Sequence, residues 1–304
     1  MFGNTFSRIR VIAIVLTAAL LVASAANSAL AQFVMMPDST NNRLVLFDPN
    51  NGALINSNAF GLAGGTPIHA MQVGSEIWVS EQLGDRVSRW SFTGTPIGAV
   101  TGALDNLRGM ELIGDTVYLC NDGTGNGAPG AAIYKIAMNG TLGGSFSTPF
   151  SSPFGILSYQ GNMLVSSDAA NDDIHQYTQA GASVGTFYNT ATLNFAEQMW
   201  YDLNGNVLAA GFSSNNIVRL NGANGALIND YTGRSGARGV YQLANGNILW
   251  SNSAGAHVFD PNTGVSTQVY TGGGRYFDDL IIPEPASLAL ITFGGLALRL
   301  RRRS

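Results

Sequence analysis

The chain is poor in charge: Asp, Glu, Lys and Arg together make up 11% of its 304 residues, against roughly a quarter in ordinary soluble domains. It has a single lysine, Lys135, and a single cysteine, Cys120. One cysteine excludes an intrachain disulfide framework and a cysteine-based zinc site. Cys120 closes the apolar run 116–120, the setting of a small buried hydrophobe. There is no phosphate loop, no Rossmann glycine fingerprint and no Gly-x-Ser-x-Gly elbow. The histidines His69, His175 and His257 have no metal-ligand spacing. No catalytic residue, metal ligand or cofactor is therefore expected.

Basic residues are scarce where they would matter for nucleic acid. Six of the 15 Lys and Arg, but only one of the 19 Asp and Glu, lie in the terminal segments, so residues 32–282 carry nine basic against eighteen acidic side chains. An acidic surface repels phosphate backbones, and no nucleic-acid partner is expected. Helical periodicity is also missing from this segment, which excludes a bundle or a doubly wound sheet.

What the sequence does have is turns and repeats. Glycine reaches 38 residues, and a strand followed by a Gly turn recurs six times: Asn42 to Asp48, Asp85 to Ser91, Ala131 to Ala137, Asp172 to Thr178, Asn215 to Asn221 and Ala254 to Asp260. Aligned on Phe47, Trp90, Ile136, Tyr177, Leu220 and Phe259, the spacings are 43, 46, 41, 43 and 39 residues, the length of one propeller blade. Ahead of five of these strands stands a two-residue hairpin signal: Gly74-Ser75, Gly114-Asp115, Gln160-Gly161, Asn204-Gly205 and Asn245-Gly246. The run Asp202-Leu-Asn-Gly-Asn206 has the look of half a calcium loop, but its counterparts lack the acids, so it reads as a turn.

The array starts and stops out of phase. Gln32 to Asp38 matches the second strand of the unit and Tyr276 to Ile282 matches the first. Completing one blade with strands from both termini removes the unpaired edges that an open array would leave. The expected fold is all-β: a six-bladed propeller of four-stranded blades over 32–282, with first strands near residues 67, 107, 153, 196, 238 and 277.

Residues 1–31 have the three parts of a secretory signal. Arg8 and Arg10 precede the apolar stretch Val11 to Ala25, and Ala29 and Ala31 are the small residues a signal peptidase reads, which places the cut before Gln32. An uncleaved anchor is the alternative, for which the apolar run falls short of about 20 residues. At the other end, residues 283–304 run Pro283-Glu284-Pro285, then the apolar segment Ala286 to Leu298, then a cluster of Arg299, Arg301, Arg302 and Arg303. Pro285 suits the first turn of a helix, and thirteen apolar residues rise only about 20 Å, a short membrane helix. Terminal arginines would stop such a helix on the cytoplasmic side.

This order resembles the PEP-CTERM sorting signal of Gram-negative bacteria. The resemblance implies recognition by the membrane protease exosortase, a transient inner-membrane intermediate, and delivery to the cell surface or extracellular matrix among polysaccharide and envelope proteins. More weakly, Arg108-Gly109-Met110, Pro153-Phe-Gly-Ile156 and Arg238-Gly239-Val240, each followed some ten residues on by a strand such as Ile77-Trp-Val-Ser80, resemble NHL and related six-bladed propellers. That likeness implies architecture and a binding habit, since propellers host many functions. The enzymatic alternative is a metal-dependent lactonase of the gluconolactonase type, for which Glu197 and Asp278 would supply carboxylates.

First strands lie nearest the axis, and the alignment sets Ile68, Arg108, Phe154, Glu197, Arg238 and Phe277 at one level. Two readings follow. Arginine forks and aromatic faces at one level form a recognition ring for a glycan or peptide end. Alternatively, Arg108 and Arg238 pair with acids between blades and serve the fold.

Overall fold

The computed structural model describes residues 30–150, 152–168 and 174–283. The signal segment up to Ala29, and Glu284, Pro285, Arg299, Arg301, Arg302 and Arg303 of the sorting tail, lie outside the described residues. Among those described, no helix is long and apolar enough to cross a membrane. Residues 32–280 form one compact unit.

The unit is a six-bladed propeller of four-stranded antiparallel sheets. The chain enters through β1 (Leu30–Asp38), β2 (Arg43–Phe47) and β3 (Leu54–Gly61). Five blades then follow in sequence. The first is β4 (Pro67–Val73), β5 (Glu76–Glu81), β6 (Arg86–Ser91) and β7 (Pro96–Val100). The second is β8 (Leu107–Ile113), β9 (Thr116–Asn121), β10 (Ala132–Ala137) and β11 (Leu142–Ser147). The third is β12 (Pro153–Tyr159), β13 (Asn162–Ser167), β14 (Ile174–Tyr177) and β15 (Ser183–Tyr188). The fourth is β16 (Ala196–Tyr201), β17 (Val207–Gly211), β18 (Asn216–Leu220) and β19 (Leu227–Thr232). The fifth is β20 (Val240–Gln242), β21 (Ile248–Asn252), β22 (Gly255–Phe259) and β23 (Ser266–Thr271). Finally β24 (Asp278–Pro283) pairs with β1, so the sixth sheet reads β24-β1-β2-β3 and joins both ends of the chain.

Local chemistry accounts for the hairpins. At Gln160-Gly161 both residues have positive φ, 47° and 78°, the backbone of a two-residue turn whose twist matches its strands. The Asp202 run is a turn held by its own side chain: Asp202 Oδ1 accepts the amides of Asn204 and Asn206 at 2.8 Å each, and Arg219 Nε lies 3.1 Å from Oδ2. Second strands are almost wholly buried, whereas fourth strands such as β19 are exposed along most of their length. Apolar residues of adjacent blades therefore fuse, as where Trp78 of β5 joins Leu107, Met110 and Val117 of the next blade. Burying such surface is the main stabilising term.

The sixth blade is locked by Asp38. It is fully buried and accepts the amides of Thr40 (2.9 Å), Asn41 (3.1 Å) and Gly273 (2.9 Å) as well as the Tyr270 hydroxyl. Burial pushes its carboxyl up, but hydrogen bonds from Asn41, Tyr270 and Gly273 outweigh that and hold it below the ordinary value.

Candidate functional site

Six inner strands run the same way round a central channel, and their backbones interlock at one level. The Ser80 hydroxyl of β5 takes the His69 amide of its own blade (3.2 Å) and donates to the Arg108 carbonyl of the next (2.6 Å). Ser166 does the same between Gly155 and the Glu197 carbonyl, and Ser251 between Gly239 and the Arg275 carbonyl. The Gln198 amide reaches the Arg238 carbonyl at 3.1 Å, and the Tyr276 amide reaches that of Ile68 at 3.1 Å. The equivalent residues are thus Ile68, Arg108, Phe154, Glu197, Arg238 and Arg275.

This corrects the sixth position, expected to be Phe277. Phe277 is fully buried, packed edge-on against Phe47 in the blade core. The offset of two residues arises because Asp38 binds the Gly273 amide and bridges to Gly274, drawing the chain inward before β24 begins. A third arginine therefore joins the level in place of an aromatic.

At this arginine mouth the guanidinium groups rest on aromatic faces. Arg108 lies 4.7 Å over Phe154 and Arg238 lies 5.4 Å over Phe212, with Phe195 bridging the two rings at 4.6 and 5.0 Å. Arg108 Nη2 is 3.6 Å from Asp122, longer than a charge-assisted hydrogen bond. Arg238 makes no ion pair among the described residues, and the Nε atoms of both arginines are buried without a hydrogen-bond partner. Arg275 donates to Ser39 Oγ at 2.9 Å. Burial, with repulsion from Arg238, lowers its pKa to about 10.

Glu197 sits among these cations and is only 5% exposed. Burial raises its pKa to about 7 although Arg238, Arg275 and Arg108 all favour the charged form. Phe195 was not expected from sequence. Its φ of 57° is left-handed, a conformation costly for a bulky side chain. Two residues ahead of their own ring positions, Thr66, Asn106 and Gly236 have the same sign of φ (60°, 56° and 62°). The turn is thus a feature of the repeat, and the aromatic placed in it is particular to this blade.

One residue further along each strand the channel narrows to a waist. At Gly109, Gly155 and Gly239 an added Cβ would stand 2.6, 2.4 and 2.4 Å from the carbonyl oxygens of Phe154, Glu197 and Arg275. Glycine is required there because the neighbouring backbone occupies the space. His69, Gln198 and Tyr276 fill the remaining three positions. His69 Nδ1 accepts the Met110 amide (3.0 Å), which places its proton on Nε2, while Gln198 Oε1 accepts the amides of Val240 (3.1 Å) and Phe277 (2.9 Å).

Beyond the waist the channel opens into a cavity of about 320 Å³ with Glu111, Asp278, Trp200 and Tyr201 in its wall. Glu111 Oε1 accepts the Ser158 amide at 2.9 Å, and burial, reinforced by Asp278, raises its pKa to about 8. Asp278 lies 3.4 Å from His69 Nε2. Glu197 and Asp278, the carboxylates considered for a lactonase, therefore occupy opposite sides of the waist. Among the described residues no group of three His, Cys, Asp or Glu is placed to hold a metal.

No protein-family model matches the sequence, and no curated protein matches it. Similar solved structures exist. A chain of a nidogen/laminin complex superposes with a TM-score of 0.70 at 13% identity, over 82% of this chain and 98% of that one. A protein from Bacteroides caccae gives 0.62 at 13% over 82% and 98%. A virginiamycin B lyase from Staphylococcus aureus, solved with quinupristin, gives 0.56 at 11% over 83% and 96%. At such identities the likeness establishes the fold, a β-propeller, and nothing about activity.

Proposed function

We propose that this chain is an exported surface protein whose propeller binds a carboxylate-bearing ligand, an acidic glycan or a peptide end, at the arginine mouth. Arg238 carries the reading: a guanidinium on an aromatic face, with a buried Nε that has no hydrogen-bond partner and no direct ion pair among the described residues, Glu197 acting on it only from a distance. Arginine forks match carboxylates in shape and charge, and aromatic rows suit sugar faces. A metal-dependent lactonase-like hydrolase finds less support, because Glu197 and Asp278 do not converge. Export rests on the signal segment, and attachment on the likeness of residues 283–304 to an exosortase substrate.

Three experiments test it. Replacing Arg108 and Arg238 together by Ala should weaken binding on an acidic glycan or peptide array by about a hundredfold or more, since hydrogen bonds to charged groups contribute roughly 1.5–3 kcal/mol each. The melting temperature should change little. Binding should also weaken as pH rises through about 7, because Glu197 then ionises and competes for the arginines, and Glu197→Gln should remove that dependence. A collapsed melting temperature, or unchanged binding, would overturn the site. Intact mass of protein extracted from an exosortase-containing host should show loss of residues 1–31 and of the apolar tail; a surface species retaining Arg301 to Arg303 would overturn the sorting claim.

A further inference from the structure

We infer that the cavity on the far side of the waist is a second binding site, one that takes a primary alkylammonium group. The inference stands apart from the arginine mouth, sharing none of its residues.

The cavity joins two features seldom found together. Its wall is largely apolar, with Met71, Leu112, Leu157 and the Trp200 indole, yet Glu111 and Asp278 open into it. No Arg or Lys pairs with either acid among the described residues, and the one basic group near them is His69, 3.4 Å from Asp278. His69 is only 4% exposed, and its Nε2 finds no well-formed hydrogen bond. Two carboxyl groups that share a poorly solvated space cannot both ionise without cost, and an incoming cation with N–H donors allows them to.

The lining selects the kind of cation. A metal ion would want three or more converging ligands, and the described residues offer no such group. A quaternary ammonium favours a cage of aromatic faces without hydrogen bonds, whereas here Trp200 and Tyr201 line one part and acceptor oxygens another. A primary ammonium has three donors for those oxygens, and its alkyl chain would lie along Met71, Leu112 and Leu157. At about 320 Å³ the space suits a small ligand.

Protons follow from the same geometry. Glu111 is faced by Asp278 from β24 and Tyr201 from β16, and Asp278 in turn by His69 from β4, Asp279 from β24 and Tyr241 from β20. With its pKa at about 8, Glu111 is largely protonated near neutrality when the cavity is empty. A bound ammonium would drive that proton off, so amine binding should release a proton and tighten as pH rises toward and past that value.

The test is calorimetric titration of the full chain with n-pentylamine, n-pentanol and tetramethylammonium, in buffers of different ionisation heat. Pentylamine should bind with proton release, pentanol should not bind, and tetramethylammonium should bind at least about tenfold more weakly. Glu111→Gln keeps an acceptor for the Ser158 amide. It should nonetheless weaken pentylamine by about ten- to a hundredfold, as loss of a charge-assisted hydrogen bond implies, and abolish the proton release. The Arg108→Ala, Arg238→Ala protein should bind pentylamine as the parent does. Absence of pentylamine binding into the millimolar range, equal binding of pentanol, or affinity unchanged by both Glu111→Gln and Asp278→Asn would overturn the inference.

Discussion

The waist of the channel and its arginine mouth are built by neighbouring residues of the same strands, yet they are opposites. At the waist the backbone is tightly paired: glycines admit the next strand's carbonyl, and Ser80, Ser166 and Ser251 each tie two blades together. At the mouth Arg108 and Arg238 keep unpartnered nitrogens, and Glu197 is held near neutrality rather than firmly ionised. A saturated layer serves stability, and an unsaturated one leaves bonds for something else to complete.

That contrast can be broken by substitution. Gly155→Ala forces a methyl group against the Glu197 carbonyl, 2.4 Å away, and backbone cannot give as a side chain can. The expected loss is about 3 kcal/mol or more in denaturant unfolding, among the severe single-site effects. A mild loss would mean that the waist is not the rigid part. The paired arginine substitutions come next, shifting the melting temperature by a few degrees at most while binding disappears. The smallest effect should have the opposite sign. Phe195→Gly relieves a left-handed phenylalanine and should leave stability unchanged or raise it by about 1 kcal/mol, while weakening ligand binding as the aromatic bridge between Phe154 and Phe212 is lost. If Phe195→Gly instead destabilises strongly, the ring belongs to the core and the mouth is less specialised than described.

Much of the architecture was legible in the sequence because its signals are local and repeated. The Asn-Gly and Gln-Gly hairpins and the blade-length spacing locate the inner strands within a few residues, and the split repeat foretells the β24-β1-β2-β3 sheet. Arg108, Glu197 and Arg238 were found for the same reason. Arg275 was missed because its position depends on Asp38, more than two hundred residues earlier, capturing the Gly273 amide. Nor could the pairing irregularities between Leu107 and Met110, Pro153 and Ile156, and Ala196 and Met199 be read from apolar alternation. Phe195 and Phe212 flank strands rather than lying within them. A phenylalanine aligned with Thr66, Asn106 and Gly236 was the available signal. Glu111 stood in an apolar strand pattern, where a lone acid is easily assigned to solvent.

The hydrogen bond from Gln32 to Asp279, at 3.4 Å, joins residues close to either end of the folded unit. Because β24 pairs with β1, the first and last strands of the folded unit meet along one seam. The ring therefore has a single clasp. Tension applied at the two ends of the folded unit would load that clasp before any other blade. The other five blades would feel the pull only after the sixth sheet had opened.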